Sequence, residues 1–178
     1  MARGKMMAIT LDGKKAALVA VDIQNKFYTV TEGLHESVDR RIGMMNSALD
    51  LFHDTGSPVI LVCYDPMNLC TSDLMDDPEA FVDGLRVRDS DARVHKDVMN
   101  SFHGTDLAER IREAGAECIV LMGLVAHICV LSTYFGAIDA GFTPYILRGA
   151  LSATDESCVG HVEAICRTVD IDALRQAS

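Results

Sequence analysis

One cysteine of the chain stands where a buried strand is predicted to end and a helix to begin. Residues 117–122 are predicted to form a strand that is apolar from Cys118 onwards, and an amphipathic helical pattern starts beside Cys129. The first turn of a helix offers unpaired N–H groups and the positive end of the helix dipole, which both favour thiolate over thiol. Cys129 is therefore the candidate nucleophile among the 6 cysteines. The alternative is that Cys129 is an unreactive core residue, since free cysteine is among the most buried residue types.

Two further reactive side chains also follow predicted strands. Asp22 closes an apolar run, and Lys96 ends a short predicted strand. An ammonium lowers the pKa of a nearby thiol, and a carboxylate can accept the thiol proton and return it to a leaving amine. Asp22, Lys96 and Cys129 are thus a chemically sensible triad without a histidine. Spacing alone leaves open a capping role for the aspartate and a solvated charge for the lysine.

The elements that would position these side chains alternate between strand and helix. Strands are predicted at 16–23, 58–64, 93–96, 117–122, 143–147 and 168–171, and helices at 37–53, 105–114, 128–140 and 155–169. Thr105 is a predicted N-cap, and Gly56, Gly115 and Gly141 are predicted helix stops. This alternation implies a parallel sheet with helices on both faces and ligands bound beyond the carboxyl ends of the strands, where all three candidates fall.

The composition sets broad limits on function. The 178 residues, 49% of them hydrophobic, are enough for one domain, predicted to span 1–178. A net charge of -10 argues against a nucleic-acid surface. No apolar run reaches the roughly 18 to 20 residues of a membrane span, and no cleavable leader is recognised, so we expect a cytoplasmic protein. The cysteine spacing supports neither a disulfide framework nor a dithiol motif.

Three sequence blocks, in register, carry a family resemblance. They read ALVAVDIQNKF at 17–27, HKDVMNSFHGTDL at 95–107, and GLVAHICV at 123–130 continuing to AIDAG at 137–141. With Ser152 and His161 they cover nearly the whole chain, which resembles the isochorismatase-like cysteine hydrolases, a group that includes nicotinamidases and N-carbamoylsarcosine amidases. The resemblance implies a Rossmann-like three-layer α/β sandwich with a mostly parallel six-stranded sheet, and a homo-oligomer, a dimer or tetramer.

The resemblance also implies a site. Asp22, Lys96 and Cys129 would be catalytic, the peptide between Leu124 and Val125 would be cis, and the backbone N–H groups of Val125 and Cys129 would form an oxyanion hole. The implied reaction is hydrolysis of a C–N bond in a small amide or carbamoyl substrate through a thioester. Four aromatic residues near these blocks are candidate pocket residues, with core packing as the alternative: Phe27, Tyr28, Phe102 and Tyr134.

The chain departs from the nicotinamidases at their metal signature. That signature begins Asp-x-His, whereas this chain reads Asp65-Pro66-Met67. We therefore expect no metal and no cofactor. The histidines nearest the triad blocks, expected to be hydrogen-bonded or exposed rather than ligands, are His95, His103 and His127.

Other functions stay open. A vinyl ether hydrolase of the isochorismatase type would need cations for a dicarboxylate, for which the candidates are Arg86, Arg88 and Arg148. A non-catalytic binding protein or a redox thiol protein on the same fold is a further alternative. The long segment 65–92 is expected to set specificity, and the helix at 128–140 is the candidate oligomer contact.

Overall fold

A parallel β-sheet runs through the centre of the computed structural model, which describes residues 7–65, 77 and 80–178. Its strands are β1 (Thr10–Leu11), β2 (Lys14–Val21), β3 (Val59–Tyr64), β4 (Ala92–Lys96), β5 (Cys118–Leu124), β6 (Thr143–Ser152) and β7 (Thr168–Val169). The helices are α1 (Asn25–Tyr28), α2 (Glu32–Thr55), α3 (Leu107–Glu113), α4 (Leu131–Asp139), α5 (Glu156–Ile165) and α6 (Ile171–Gln176), with a π-helical turn at Ala126–Val130 before α4.

The strand order is β4-β3-β2-β5-β6-β7, and every neighbouring pair along it is parallel. Strand β1 pairs antiparallel with the start of β2 and adds a short seventh strand. The predicted architecture, a mostly parallel sheet of six strands flanked by helices, is confirmed. Because the six main strands point the same way, the ends of β2, β4 and β5 meet at one edge of the sheet.

Two hydrophobic layers cover the sheet, one on each face. Side chains of β2 alternate between them, so that Leu18 packs with α2 and α6 while Val19 packs with α3, α4 and α5. Parallel strands buried on both faces are expected to be apolar throughout, as β2 is from Ala16 to Val21. Burial of one such aliphatic side chain stabilises the fold by about 1.5–3 kcal/mol.

The observed helices and strands differ from the predicted ones mainly in where they begin and end. Helix α2 begins at Glu32, five residues before its predicted start, because the Thr31 hydroxyl accepts a hydrogen bond from the Leu34 N–H at 3.1 Å. It ends at Gly56 in the left-handed conformation, as predicted. Strand β6 continues past its predicted end at 147 through Gly149, whose φ is 74°. Within the described ranges, no helix has both the length and the apolar character needed to cross a bilayer.

Candidate active site

The three predicted catalytic residues come together at the carboxyl edge of the sheet. Asp22 directly follows β2, Lys96 is the last residue of β4, and Cys129 lies in the π-helical turn after β5. The Lys96 Nζ atom is 2.9 Å from Asp22 Oδ2, and the two side chains are 0% and 2% exposed. The charges of both groups act on the thiol of Cys129, which is 7% exposed. A carboxylate, an ammonium and a thiol thus share one buried cluster.

Asp22 is placed by an unusual backbone conformation. Its φ is 54°, in the left-handed region that few residues other than glycine adopt. Such a conformation costs of order 1–3 kcal/mol and persists where the surroundings enforce it. The Asp22 N–H donates to the Val62 carbonyl at 3.1 Å, and the Asp22 carbonyl accepts from the Gln24 N–H at 2.8 Å. These bonds turn the chain out of β2 and hold the carboxylate at the sheet edge.

Lys96 is held by three neighbours. Besides Asp22, its ammonium donates a hydrogen bond to the Met99 carbonyl at 2.9 Å. It also lies 5.2 Å from the centre of the Tyr64 ring. Tyr64 and Lys96 are register partners at the ends of β3 and β4, so the sheet itself places the ring beside the ammonium.

Cys129 sits in a turn wider than an α-helix. The Val130 N–H donates to the Val125 carbonyl at 3.3 Å, a five-residue step that replaces the predicted start of an α-helix at 128. The peptide between Leu124 and Val125 is cis. Just before it, Gly123 pairs with Val21 of β2, and a Cβ atom at position 123 would lie 2.2 Å from the Val21 carbonyl oxygen.

The ionisation of Cys129 differs from the prediction. The expected preference for thiolate is wrong as a net effect, because burial, followed by the charge of Asp22, raises the pKa of Cys129 to about 12. Lys96 lowers the pKa of the thiol, as predicted, but less than burial raises it. Burial likewise raises the pKa of Asp22, and the charge of Lys96 opposes that rise.

Two residues of the cluster were missed in the sequence. Tyr64 closes β3, between the strands of Asp22 and Lys96, and its N–H donates to Gln24 Oε1 at 2.9 Å. Lys26 is 2% exposed, donates from Nζ to the Tyr64 carbonyl and lowers the pKa of Asp22. Their positions could have indicated them, because Tyr64 ends a predicted strand and Lys26 lies four residues after Asp22. Neither residue type is diagnostic of such a site.

The four candidate pocket aromatics lie in different places. Phe27 is edge-on to Tyr64 with ring centres 5.9 Å apart, next to the triad. Tyr28 stacks on His35 of α2 and donates to Asp39. The remaining two pack in the layer that contains Cys129: Phe102 lies against Phe142, and the Tyr134 hydroxyl accepts from the Arg167 N–H.

The histidines and arginines considered above make other contacts. His95 Nδ1 lies 2.8 Å from Asp65 Oδ1 in a half-exposed pair, while His103 and His127 are exposed. In the described ranges, no three His, Cys, Asp or Glu side chains are grouped to hold a metal ion. Arg86 pairs with Asp50, and Arg148 with Glu163 and Asp170. Of the predicted specificity segment, residues 66–76 and 78–79 lie outside the described residues.

The end of this segment that is described lies against the residues that follow Asp22. The Asn25 N–H donates to the Ala80 carbonyl, and the Val82 N–H donates to the Ile23 carbonyl. Gln24 and Phe81 form an antiparallel bridge between the two stretches. The segment therefore returns to β4 along the rim of the cluster.

The sequence of the chain matches a known protein family. The profile of the isochorismatase domain family matches residues 16–170. An uncharacterized isochorismatase family protein of Escherichia coli O157:H7, YecD, is 28% identical over 162 residues, covering 82% of this chain and 84% of that protein. A second such protein, YwoC of Bacillus subtilis, is 26% identical over 156 residues, covering 83% and 82%.

Solved structures share the fold at lower identity. N-carbamoylsarcosine amidase from Thermoplasma acidophilum has a TM-score of 0.72 at 24% identity, over 89% of this chain and 97% of that one. A cysteine hydrolase from Pseudomonas syringae has a TM-score of 0.77 at 18% identity, over 100% of both chains. Pyrazinamidase of Pyrococcus horikoshii, solved in complex with zinc, has a TM-score of 0.70 at 22% identity, over 87% and 98%.

Proposed function

The chain belongs to the isochorismatase family, and from that premise we propose that it is a metal-independent cysteine hydrolase that cleaves the C–N bond of a small amide or carbamoyl compound. The observation that carries the proposal is the buried Asp22–Lys96 pair, 2.9 Å apart, beside the thiol of Cys129. A base, a fixed positive charge and a nucleophile are the groups that acyl transfer through a thioester requires.

The raised pKa of Cys129 defines the starting state. The thiol is protonated at rest, while Asp22 is paired with Lys96 and accepts the thiol proton as Sγ attacks the carbonyl carbon. This order keeps the cluster near neutrality, because the negative charge moves from the Asp22 carboxylate to the carbonyl oxygen as the sulfur loses its proton and the S–C bond forms. The backbone N–H groups of Val125 and Cys129 stabilise that oxygen, and loss of one such donor typically costs about 10²–10³ in rate.

The remaining steps return every proton. Asp22 gives its proton to the leaving nitrogen as the C–N bond breaks, which releases ammonia or an amine and leaves an acyl group on Cys129. Water then attacks the thioester while Asp22 accepts a proton from it. The C–S bond breaks, the acid product leaves, and Asp22 returns the proton to the sulfur. Lys96 stays protonated throughout and holds Asp22 in place.

Metal independence rests on the sequence Asp65-Pro66-Met67, which lacks the histidine of the Asp-x-His signature. It is tested by activity after exhaustive chelation, which we expect to be unchanged. Activity lost on chelation and restored by zinc would overturn this part of the proposal alone.

The central experiment is a substrate panel with matched cysteine variants. N-carbamoylsarcosine, nicotinamide, pyrazinamide and other small amides are assayed for ammonia release, and isochorismate for pyruvate release. We expect ammonia from an amide or carbamoyl compound, abolished in Cys129→Ala and retained in Cys158→Ala, a half-buried cysteine of α5. Turnover that persists in Cys129→Ala would rule out the thioester mechanism, and pyruvate release would favour the vinyl ether reaction.

A further inference from the structure

The Lys96 ammonium is fully buried yet has only two oxygen partners among the described residues. Its side chain is 0% exposed, and its Nζ contacts Asp22 Oδ2 and the Met99 carbonyl, each at 2.9 Å. An ammonium has three N–H donors, and a buried one without a partner is costly. The remaining neighbours of the ammonium are the thiol of Cys129, to which it hydrogen-bonds, and the Tyr64 ring, whose centre is 5.2 Å from Nζ. A cation at this distance from a ring is attracted by the negative charge of its face.

We propose that the Tyr64 ring is a positioning group that completes the surroundings of Lys96 and keeps its ammonium aimed at Asp22 and Cys129. The inference rests on the proposed function, because it assigns Lys96 its place in that reaction. Tyr64 is a positioning residue, since it acts through Lys96 and not on the substrate.

Tyr64 is itself held on several sides, as a positioning group must be. Its hydroxyl donates to the Asp97 carbonyl at 2.9 Å, one residue after Lys96. Its ring edge meets Phe27 at 5.9 Å between centres. Its backbone N–H donates to Gln24 Oε1, and its carbonyl accepts from Lys26 Nζ. The ring is thus tied both to the turn after Asp22 and to the strand end that carries Lys96.

A second tyrosine of the same kind provides the control. Tyr145, on β6, has the Arg167 guanidinium 5.4 Å from its ring centre and a hydroxyl that donates to Asp12 at 2.6 Å. Asp12 lies in the turn before β2, and Tyr145 is the third residue of β6, so this pair is at the opposite end of the sheet from the cluster. Removal of its ring should affect stability but not turnover.

The test compares Tyr64→Phe, Tyr64→Leu and Tyr145→Leu on the amide that the wild type hydrolyses. We expect Tyr64→Leu to lower kcat about 10- to 30-fold with KM changed less than about threefold, and Tyr64→Phe to stay within about threefold of wild type because it keeps the ring. Tyr145→Leu should keep wild-type kcat. Wild-type kcat in Tyr64→Leu, or an equal loss in Tyr64→Phe, would overturn the proposal.

A second measurement needs no substrate. NMR relaxation of the Lys96 Cε group should report a rigid side chain in wild type and Tyr64→Phe, and a mobile one in Tyr64→Leu. If Tyr64→Leu does not fold, Tyr64→Met, of similar volume and without a ring, replaces it in both measurements. A rigid Lys96 without the ring would overturn the inference. A wild type that is inactive on the whole panel would instead count against the proposed function.

Discussion

A buried aspartate contacts a nitrogen-containing side chain near each end of strand β4, and the two pairs are built differently. Near its start, His53 Nε2 lies 2.8 Å from Asp91 Oδ1, with side chains 6% and 4% exposed. At its end, Lys96 Nζ lies 2.9 Å from Asp22 Oδ2, with side chains 0% and 2% exposed. Distance and burial are nearly the same, so neither distinguishes a structural pair from a catalytic one.

The difference lies in the second carboxylate oxygen. Asp91 Oδ2 accepts a hydrogen bond from the Arg88 N–H at 2.7 Å, so both oxygens of Asp91 have partners. In the part of the chain that is described, neither oxygen of Asp22 has a hydrogen bond of full geometry, and the groups that act on the carboxylate are the Lys96 ammonium, 2.9 Å from Oδ2, and the Cys129 thiol. A satisfied pair stabilises the fold, whereas an unsatisfied one keeps the capacity to accept a proton.

The largest expected effect comes from Asp22→Asn, which removes the base and keeps the shape. We expect kcat/KM to fall by about 10²–10⁴. Stability should not fall at pH 7. Folding raises the pKa of Asp22. The carboxyl group therefore contributes fully to the stability of the fold only below its unfolded pKa of 3.8, and this contribution is lost as the pH rises through the folded pKa. Urea unfolding at pH 7 checks this, and a variant clearly less stable than wild type would make Asp22 a structural residue like Asp91.

The second prediction concerns the thiol beside the unsatisfied pair. With a pKa of about 12, Cys129 is almost wholly protonated at pH 7. We expect iodoacetamide to alkylate it about 10²–10³ times more slowly in the folded protein than in urea. The rate should rise with pH to beyond pH 10, as measured by mass spectrometry of the labelled peptide. Fast labelling at pH 7 would mean that Lys96 outweighs burial.

Asp91→Ala should have the opposite profile to Asp22→Asn. It leaves the His53 ring and the Arg88 N–H without their partner in a buried place, so the free energy of unfolding should fall by about 1–3 kcal/mol. The value of kcat/KM should stay within about twofold of wild type because the pair lies at the far end of β4. Chemical unfolding together with the amide assay tests both parts. A large loss of activity in a folded Asp91→Ala would break the contrast between the two pairs.

The smallest effect is expected where an ion pair is open to solvent. Arg41 and Arg40 both bond to Glu156, whose side chain is 47% exposed, and the Arg41 bond is the main reason that the pKa of Glu156 falls to about 2. The stabilisation is present above the unfolded value of 4.5 and is lost as the pH falls towards 2. Glu156→Gln should cost less than about 1 kcal/mol at pH 7. Thermal unfolding at pH 7 and pH 3 should show the difference shrinking at the lower pH.

Local patterns were enough to predict the frame of the site. An apolar run that ends at Asp22, a short predicted strand that ends at Lys96 and a second apolar run before Cys129 put all three residues at strand ends. A parallel sheet then requires them to share an edge. The helix stops at Gly56, Gly115 and Gly141 were predicted for a similar reason, since each needs a positive φ that glycine adopts easily.

What could not be predicted depends on contacts between distant segments. The role inferred for Tyr64 follows from the order β4-β3-β2-β5, which no local pattern contains. The pKa of Cys129 was predicted in the wrong direction because helix and lysine effects can be inferred from neighbours in sequence, whereas burial depends on the whole fold. The start of α2 was missed because residues 32–36 are mostly polar and the Thr31 cap decides the boundary.

Gly123 has no side chain, and this allows β5 and β2 to lie close enough to bring Cys129 near Asp22. Strand β5 passes so close to β2 at this point that even a methyl group would overlap the Val21 carbonyl. Asp22 is the next residue after Val21, and Cys129 follows a few residues after Gly123. Any substitution at 123 would have to widen the gap between the two strands, and base and nucleophile would separate with it. The distance between Asp22 and Cys129 is therefore set by a backbone contact, between Gly123 and Val21, that takes no part in the reaction.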